Sequence, residues 1–162
     1  MNYDDNAAPD VWKAIKAQPI AMMTTMHEGE VISRPMAAHA DSSEGAIYFV
    51  SRLETGKTHD IDATSAVNLS FSHPSNATYI SVAGNATVSQ DREKLRELWT
   101  MWAEAWLPDG PDAPDTTLIT VEPGQAVIWD SNSSRIVRTI KTAAAAITQT
   151  PPDMGRERAV IL

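Results

Sequence analysis

Apolar and polar positions alternate in short runs through most of the chain, the period of two expected of strands, and three stretches instead carry apolar residues three to four apart, as a helix would. Val11, Trp12 and Ile15 form the first such stretch, a short lid or packing helix with Asp10 as its N-cap and an end before Pro19. Runs over 20–26, 31–40 and 46–51 follow, parted by His27-Glu28-Gly29 and by Asp41-Ser42-Ser43-Glu44-Gly45. They predict a three-stranded antiparallel meander. Residues 57–63 suit a short helix, and 66–72 and 78–89 two more strands joined at His73-Pro74-Ser75-Asn76. Asp91 is placed to cap a helix reaching Leu107, on which Leu95, Leu98, Trp99, Trp102 and Trp106 share one face, before Pro108, Gly110, Pro111 and Pro114 end it. Residues 117–121 and 125–130 predict a hairpin across Glu122-Pro123-Gly124, and 135–142 a last strand.

Seven or eight strands at this spacing, without strand–helix–strand alternation, predict a mainly β fold: an antiparallel barrel with peripheral helices, not a doubly wound sheet. One domain over 1–142 is expected. Residues 143–162 then form a tail ending in Val160-Ile161-Leu162, either frayed or docked on a neighbour.

Composition narrows the function classes. The 162 residues carry 13 Lys and Arg against 21 Asp and Glu, a formal charge of −8, with no long basic run to track a phosphate backbone. A nucleic-acid partner is not expected. The chain has no cysteine, which removes thiolate nucleophiles, Cys-ligated zinc and iron–sulfur clusters. Its acidic, apolar-poor start lacks the charged head and greasy middle of a secretory signal, and no apolar run is long enough to span a bilayer. A cytoplasmic protein is the expectation, in which the Asn-x-Ser/Thr matches at Asn68, Asn76, Asn85 and Asn132 carry no glycan.

Several motifs fail on their chemistry. The string from Ser51 to Thr58 imitates the end of a P-loop, but Ser51 stands where the loop needs its first glycine. His27, His39, His59 and His73 are scattered, with no His-x-His or His-Glu-x-x-His spacing to put two nitrogens on a metal, so each reads as a turn or surface histidine. There is no Gly-x-Ser-x-Gly elbow. Trp99, Trp102 and Trp106 could stack on an aromatic ligand, although such a helical stripe is first a device for filling core or a subunit interface.

The sparse cations say more. Between Ala17 and Asp91 only Arg34, Arg52 and Lys57 are positive. Arg34 lies on the second predicted strand, and Arg52 and Lys57 lie just past the third, so antiparallel pairing brings them toward one end of the sheet. A dianionic phosphomonoester suits such a place: Arg grips two oxygens, Lys adds a point charge, and Ser51, Thr55 and backbone N–H groups complete the shell. The plainer alternative is ion pairing with Glu28, Glu30 or Glu54 at the surface.

Taken in order, Ser33-Arg34-Pro35-Met36, Ile47-Tyr48-Phe49-Val50-Ser51 and Thr55-Gly56-Lys57 with Asp60-Ile61 behind it resemble the pyridoxamine 5′-phosphate oxidase-like, FMN-binding split-barrel superfamily. Tyr79-Ile80-Ser81-Val82-Ala83-Gly84, the 102–106 stretch with Pro108-Asp109-Gly110, and Ala126-Val127-Ile128-Trp129-Asp130 bring it nearer to the flavin-binding general stress protein subfamily. The likeness spans roughly 10–140 and is specific as an ordered set. It implies FMN, with FAD as the larger alternative, in a split barrel that is a homodimer with a flavin at each end of the interface. Arg34 and Lys57 would hold the phosphate, with Ser51, Thr55 and Gly56 around it. Met36 and Val50 would line the isoalloxazine, Tyr79 would lie near the ring, and Trp129 would reach the flavin of the other subunit.

The true oxidases of this superfamily hold their substrate with an Arg-x-His-x-Arg run shortly after that Trp. Here Arg135 matches its first element, while Val137 and Thr139 stand where the imidazole and the second guanidinium belong. The resemblance therefore implies a flavin-binding stress-response protein, an oxidoreductase toward an unidentified small molecule if it is catalytic. The alternatives are a true pyridoxamine 5′-phosphate oxidase and a non-catalytic split-barrel interaction module. No general acid or base stands out among the site residues.

Overall fold

The computed structural model describes residues 4–53, 56–130 and 156–162. Eight strands form one antiparallel sheet: β1 (Ile20–His27), β2 (Glu30–Ala37), β3 (His39–Asp41), β4 (Ala46–Arg52), β5 (Ala66–His73), β6 (Thr78–Ser89), β7 (Thr116–Asp130) and β8 (Arg156–Ile161). The hydrogen-bonded order is β2-β1-β5-β6-β7-β4-β3, with β8 also on β7. Along one edge, the long β7 takes β4 against 116–121 and β8 against 125–130. The first and last strands of this order, β2 and β3, are separated in the chain only by the buried Ala38, so one stretch joins the two ends of the sheet and closes it into a barrel. The fold is thus mainly β and antiparallel, as the alternating pattern predicts.

Alternation along each strand fills the barrel. β1 turns Ala21, Met23 and Thr25 inward and Ile20, Met22 and Met26 outward. Met23, Ile47, Phe49, Leu69, Val82, Ile119 and Val121 meet inside, with Val11 and Ile15 of α1 (Ala8–Ala17) closing over them. The β1–β2 hairpin turns on Glu28 and Gly29, both at positive φ, the two-residue turn whose twist matches that of its strands. A smaller cluster of Ala46, Tyr48, Leu95 and Leu118 seats α3 (Arg92–Glu97) on the far face of β4, where the Lys94 ammonium lies 3.0 Å from Glu44 and 4.8 Å from the centre of the Tyr48 ring. No helix among the described residues is long and apolar enough to cross a membrane.

Four local expectations are corrected. The 20–51 segment is not a meander: β1 pairs β2 on one side and β5 on the other, while β3 pairs β4, which lies against β7. Residues 122–124 do not turn; β7 runs through them, and the register against β6 shifts between Ala83 and Gly84 to absorb the extra residue. The expected helix over 91–107 is two, because Asp91 caps α3 and Thr100 caps a separate α4 (Met101–Trp106) through Ala103 N. Its stripe is broken accordingly: Leu95 is buried, Trp99 half-buried and Trp106 exposed. Asp10 caps nothing; Asp4 caps a 3₁₀ turn (Asp5–Ala7) that leads into α1, and the Asp10 carboxylate instead takes Arg158 of β8 at 2.8 Å. The end of the tail is thereby docked on its own chain, by β7 pairing and by the Arg158 bridge from Asp10 to Asp130. The strand expected over 135–142 lies outside the described residues.

His73, at the end of β5, hydrogen-bonds the Ala14 backbone of α1, and its buried Nε2 has no partner. Burial holds this ring below its ordinary pKa, and burial does the same for His39. Both fold best neutral, so the unfolded chain binds their protons first as pH falls below about 6.5, and their contribution to stability is present above that value and lost below it. These two pull the urea midpoint down between about pH 7 and pH 5 while His27, raised by Asp60, pulls it up, so acidification over this range is expected to lower the midpoint more in the wild type than in a His39→Gln/His73→Gln double variant.

Candidate functional site

The inward side of the β1–β2 hairpin changes character toward its tip. Above apolar Ala21 and Met23, β1 presents Thr25 and then His27, while β2 brings Arg34 opposite Met23. The helix α2 (Gly56–Ala63) packs against this part of β1 and carries Lys57 and Asp60 one turn apart, which puts them on the same side. Asp60 is 3 % exposed.

Its carboxylate is the hub of a network. Oδ2 accepts from the Thr25 hydroxyl at 2.8 Å and from Arg34 Nη2 at 3.3 Å, and Oδ1 lies 2.6 Å from His27 Nδ1. Arg34 Nη1 also donates to Thr25 Oγ1 at 2.8 Å, so the hydroxyl receives from the guanidinium and passes its own hydrogen to the carboxylate. Burial pushes the Asp60 carboxyl up, but hydrogen bonds from His27, Thr25 and Arg34 outweigh it and hold the group below its ordinary range. The same hydrogen bond and the Asp60 charge raise His27. Lys57 is lowered, first by burial and then by the nearby Arg34 charge. Among the described residues it has no carboxylate within ion-pair distance.

Two of the cations singled out in the sequence thus come together, and Arg34 pairs with a buried Asp rather than with Glu28 or Glu30 at the surface. Gly56 opens α2 beside Lys57, and Thr55 lies outside the described residues. Ser51 is buried at the end of β4, its hydroxyl 3.3 Å from the Arg52 carbonyl. Met36, two residues beyond Arg34 on the inward side of β2, is half-buried against the main core, whereas Val50 faces the other way on β4, against the smaller cluster. Thr25, His27 and Asp60 were not singled out as site residues. The available signals were polar side chains at inward positions of β1 and the Lys57-x-x-Asp60 spacing.

Tyr79 and Trp129 lie elsewhere. They are cross-strand neighbours on the outer face of β6 and β7, 45 % and 40 % exposed. Strand registers carry this face from Pro35 and Met22 through Ser70 and Ser81 to Val127, and from Ser33 and Thr24 through Asn68 and Ala83 to Gln125. No position in either row is charged, in a chain of net −8. Its polar groups already bond one another: Thr24 with Ser33 at 2.7 Å, Asn68 to Ser81 at 2.8 Å and Ser70 to Asn68 at 3.0 Å. Arg135, Val137 and Thr139, which bear on the oxidase alternative, lie outside the described residues.

The comparisons with known proteins agree with this architecture. Protein bli-3 of Neurospora crassa is 27 % identical over 167 residues, covering 96 % of this chain and 80 % of its own. The structure assigned as general stress protein 26 from Jannaschia sp. CCS1 superposes with a TM-score of 0.78 at 25 % identity, covering 97 % of this chain and 99 % of that one. The general stress FMN/FAD binding protein of Xanthomonas citri gives 0.70 at 23 % identity, over 81 % and 93 % of the two chains, which is a likeness of fold. The family model described as pyridoxamine 5′-phosphate oxidase like matches residues 6–153, nearly the whole of the barrel and its appended helices. With the barrel order, the ordered motifs and this match in agreement, the chain belongs to the pyridoxamine 5′-phosphate oxidase like family.

Proposed function

We propose that two copies of this chain hold FMN between them and serve as a stress-type flavoprotein that exchanges electrons with a small molecule. The observation that carries the reading is the pairing of Arg34 with Lys57 at the barrel mouth. The Arg34 charge reaches Lys57 there, Arg34 is ion-paired with a buried carboxylate, and Lys57 has no carboxylate partner among the described residues. Arg34 spends one N–H on Thr25 and one on Asp60, and its remaining donors can meet an anion. With Asp60 ionised, Arg34 and Lys57 leave one positive charge and His27 adds to it when protonated, a setting for a terminal phosphomonoester dianion. FAD has no such terminal group, so FMN is the preferred form.

The geometry supports a second copy. Tyr79 and Trp129 project from the outer face, away from Arg34 on the inner side, so one chain does not bring both sets to one ring. Between β2 and β7 the two rows of this face carry no charge and its polar groups are already bonded, so it loses little on being covered. Glu157 of β8, opposite Trp129, is a charge at its edge, and an aromatic pair is the kind of anchor that interfaces favour. Set against a partner's barrel mouth, Trp129 would shield a flavin held by that partner's cations. The name of the Xanthomonas citri relative, a general stress FMN/FAD binding protein, points the same way. When bound, the isoalloxazine supplies hydride and electron transfer, while the chain binds the phosphate, orients the ring and excludes water.

The test is to mix purified protein with FMN and separate the excess by gel filtration. Absorbance bands near roughly 370 and 450 nm are expected to elute with a species of two chains' mass. Flavin that elutes free of protein would overturn the cofactor reading. Flavin carried by a single-chain species would overturn the shared site.

A further inference from the structure

We infer that Asp60 is a positioning residue, one that fixes the Arg34 guanidinium, directly and through Thr25, in the orientation that grips phosphate. The inference rests on the phosphate-site reading above and adds to it a residue whose own charge has the wrong sign for the ligand. A site that worked by summed charge alone would not keep a buried carboxylate beside its two cations, because the carboxylate repels the dianion and is itself costly to desolvate. Asp60 is retained with both oxygens engaged, by Thr25 and Arg34 on Oδ2 and by His27 on Oδ1.

The geometry indicates what it does there. Arg34 is held at two different nitrogens, Nη2 on the carboxylate and Nη1 on the Thr25 hydroxyl. Anchoring both stops the swing of a long side chain, and an arginine already ordered gives up less rotamer freedom when the ligand arrives. Thr25 is 2 % exposed and bonded to both partners, so the bridge is shielded from competing water. His27 takes the oxygen that Arg34 does not use, from the exposed side, and keeps the carboxylate ionised.

Positioning and simple charge predict opposite signs, and this makes the test decisive. In Asp60→Asn an amide that carries donors of its own replaces an oxygen-only group facing three donors. Affinity for FMN is expected to fall about tenfold while riboflavin, which lacks the phosphate, changes less than about twofold. Thr25→Val removes only the bridge and is expected to repeat the effect at smaller size, with Thr25→Ser restoring it; this pair carries the test should Asp60→Asn fail to fold. Flavin affinities come from fluorescence titration of each variant with FMN and with riboflavin. An Asp60→Asn protein that binds FMN as tightly as wild type, or more tightly, overturns the inference and leaves the phosphate site standing. A Thr25→Val protein that loses FMN and riboflavin alike, or is not rescued by Thr25→Ser, also overturns it. A wild-type protein that does not distinguish FMN from riboflavin overturns the phosphate reading and this inference with it.

Discussion

Replacing Arg34 and Lys57 together by Ala is expected to weaken FMN binding by about two to three orders of magnitude while riboflavin stays within about threefold. A hydrogen bond to a charged group contributes about 1.5–3 kcal/mol, and roughly 1.4 kcal/mol corresponds to a factor of ten in affinity. Two neighbouring contacts are not additive, so the lower half of their sum is the fair expectation. The single variants separate two effects. Lys57→Ala removes a cation with no carboxylate partner among the described residues and is expected to leave the fold intact. Arg34→Ala also strips Thr25 and Asp60 of a donor each, so it is expected to lower the melting temperature as well as the affinity. Fluorescence titrations with FMN and with riboflavin, beside a melting curve for each variant, check all of this. Equal losses of the two ligands would show that the cations do not face a phosphate.

How this site was visible before the fold was known, and where visibility stopped, has a physical basis. Three cations in a long acidic stretch are conspicuous by composition, but the pairing of the second and third strands expected to gather them does not form; Arg34 and Lys57 approach because β2 pairs β1 and α2 packs on β1. Asp60 is different, because an acidic residue in a short polar helix reads as a solvated one until packing against β1 turns it inward. His27 sits beside a turn, and nothing local reveals that its ring reaches back to a buried carboxylate. The same limit applies to the sheet. Alternation at 31–40 correctly signals extended chain, yet it carries no information about which strand lies alongside, so it could not show that Ala38 hands the chain from β2 at one end of the sheet to β3 at the other. Thr100 ends one helix and starts another through a single hydroxyl, a break that the continuous apolar stripe across 95–106 conceals.

The sharpest disagreement, at Glu122-Pro123-Gly124, leads to the largest expected effect on stability. Turn chemistry favours a hairpin there, but β7 continues and pairs with β6 on both sides of a register shift, Ala83 opposite Gln125 and Gly84 opposite Pro123. The bulge lets the strand tolerate a proline that cannot donate to the ladder, and it draws the two backbones close. A Cβ at Gly84 would lie 2.6 Å from the Glu122 carbonyl oxygen, 3.0 Å from Val121 Cγ1 and 3.1 Å from Pro123 Cα. Two of those atoms are backbone, so no rotamer change relieves the collision and the strands must part. Gly84→Val adds two further carbons and is expected to cost about 3 to 5 kcal/mol, from overpacking and from ladder bonds lost around the bulge. For a chain of this size that is a fall of about 10 °C in melting temperature, with Gly84→Ala intermediate. Gly124→Ala is the control: its Cβ would meet only the Ala83 carbonyl oxygen, at an ordinary 3.7 Å, and its melting curve is expected to stay within about 2 °C of wild type. If circular dichroism shows Gly84→Val melting with the control, β6 and β7 do not approach each other this way, and 117–121 and 125–130 form a hairpin after all. If Gly84→Val alone collapses, the continuous β7 is established, and with it the strand that carries Trp129 and holds β8.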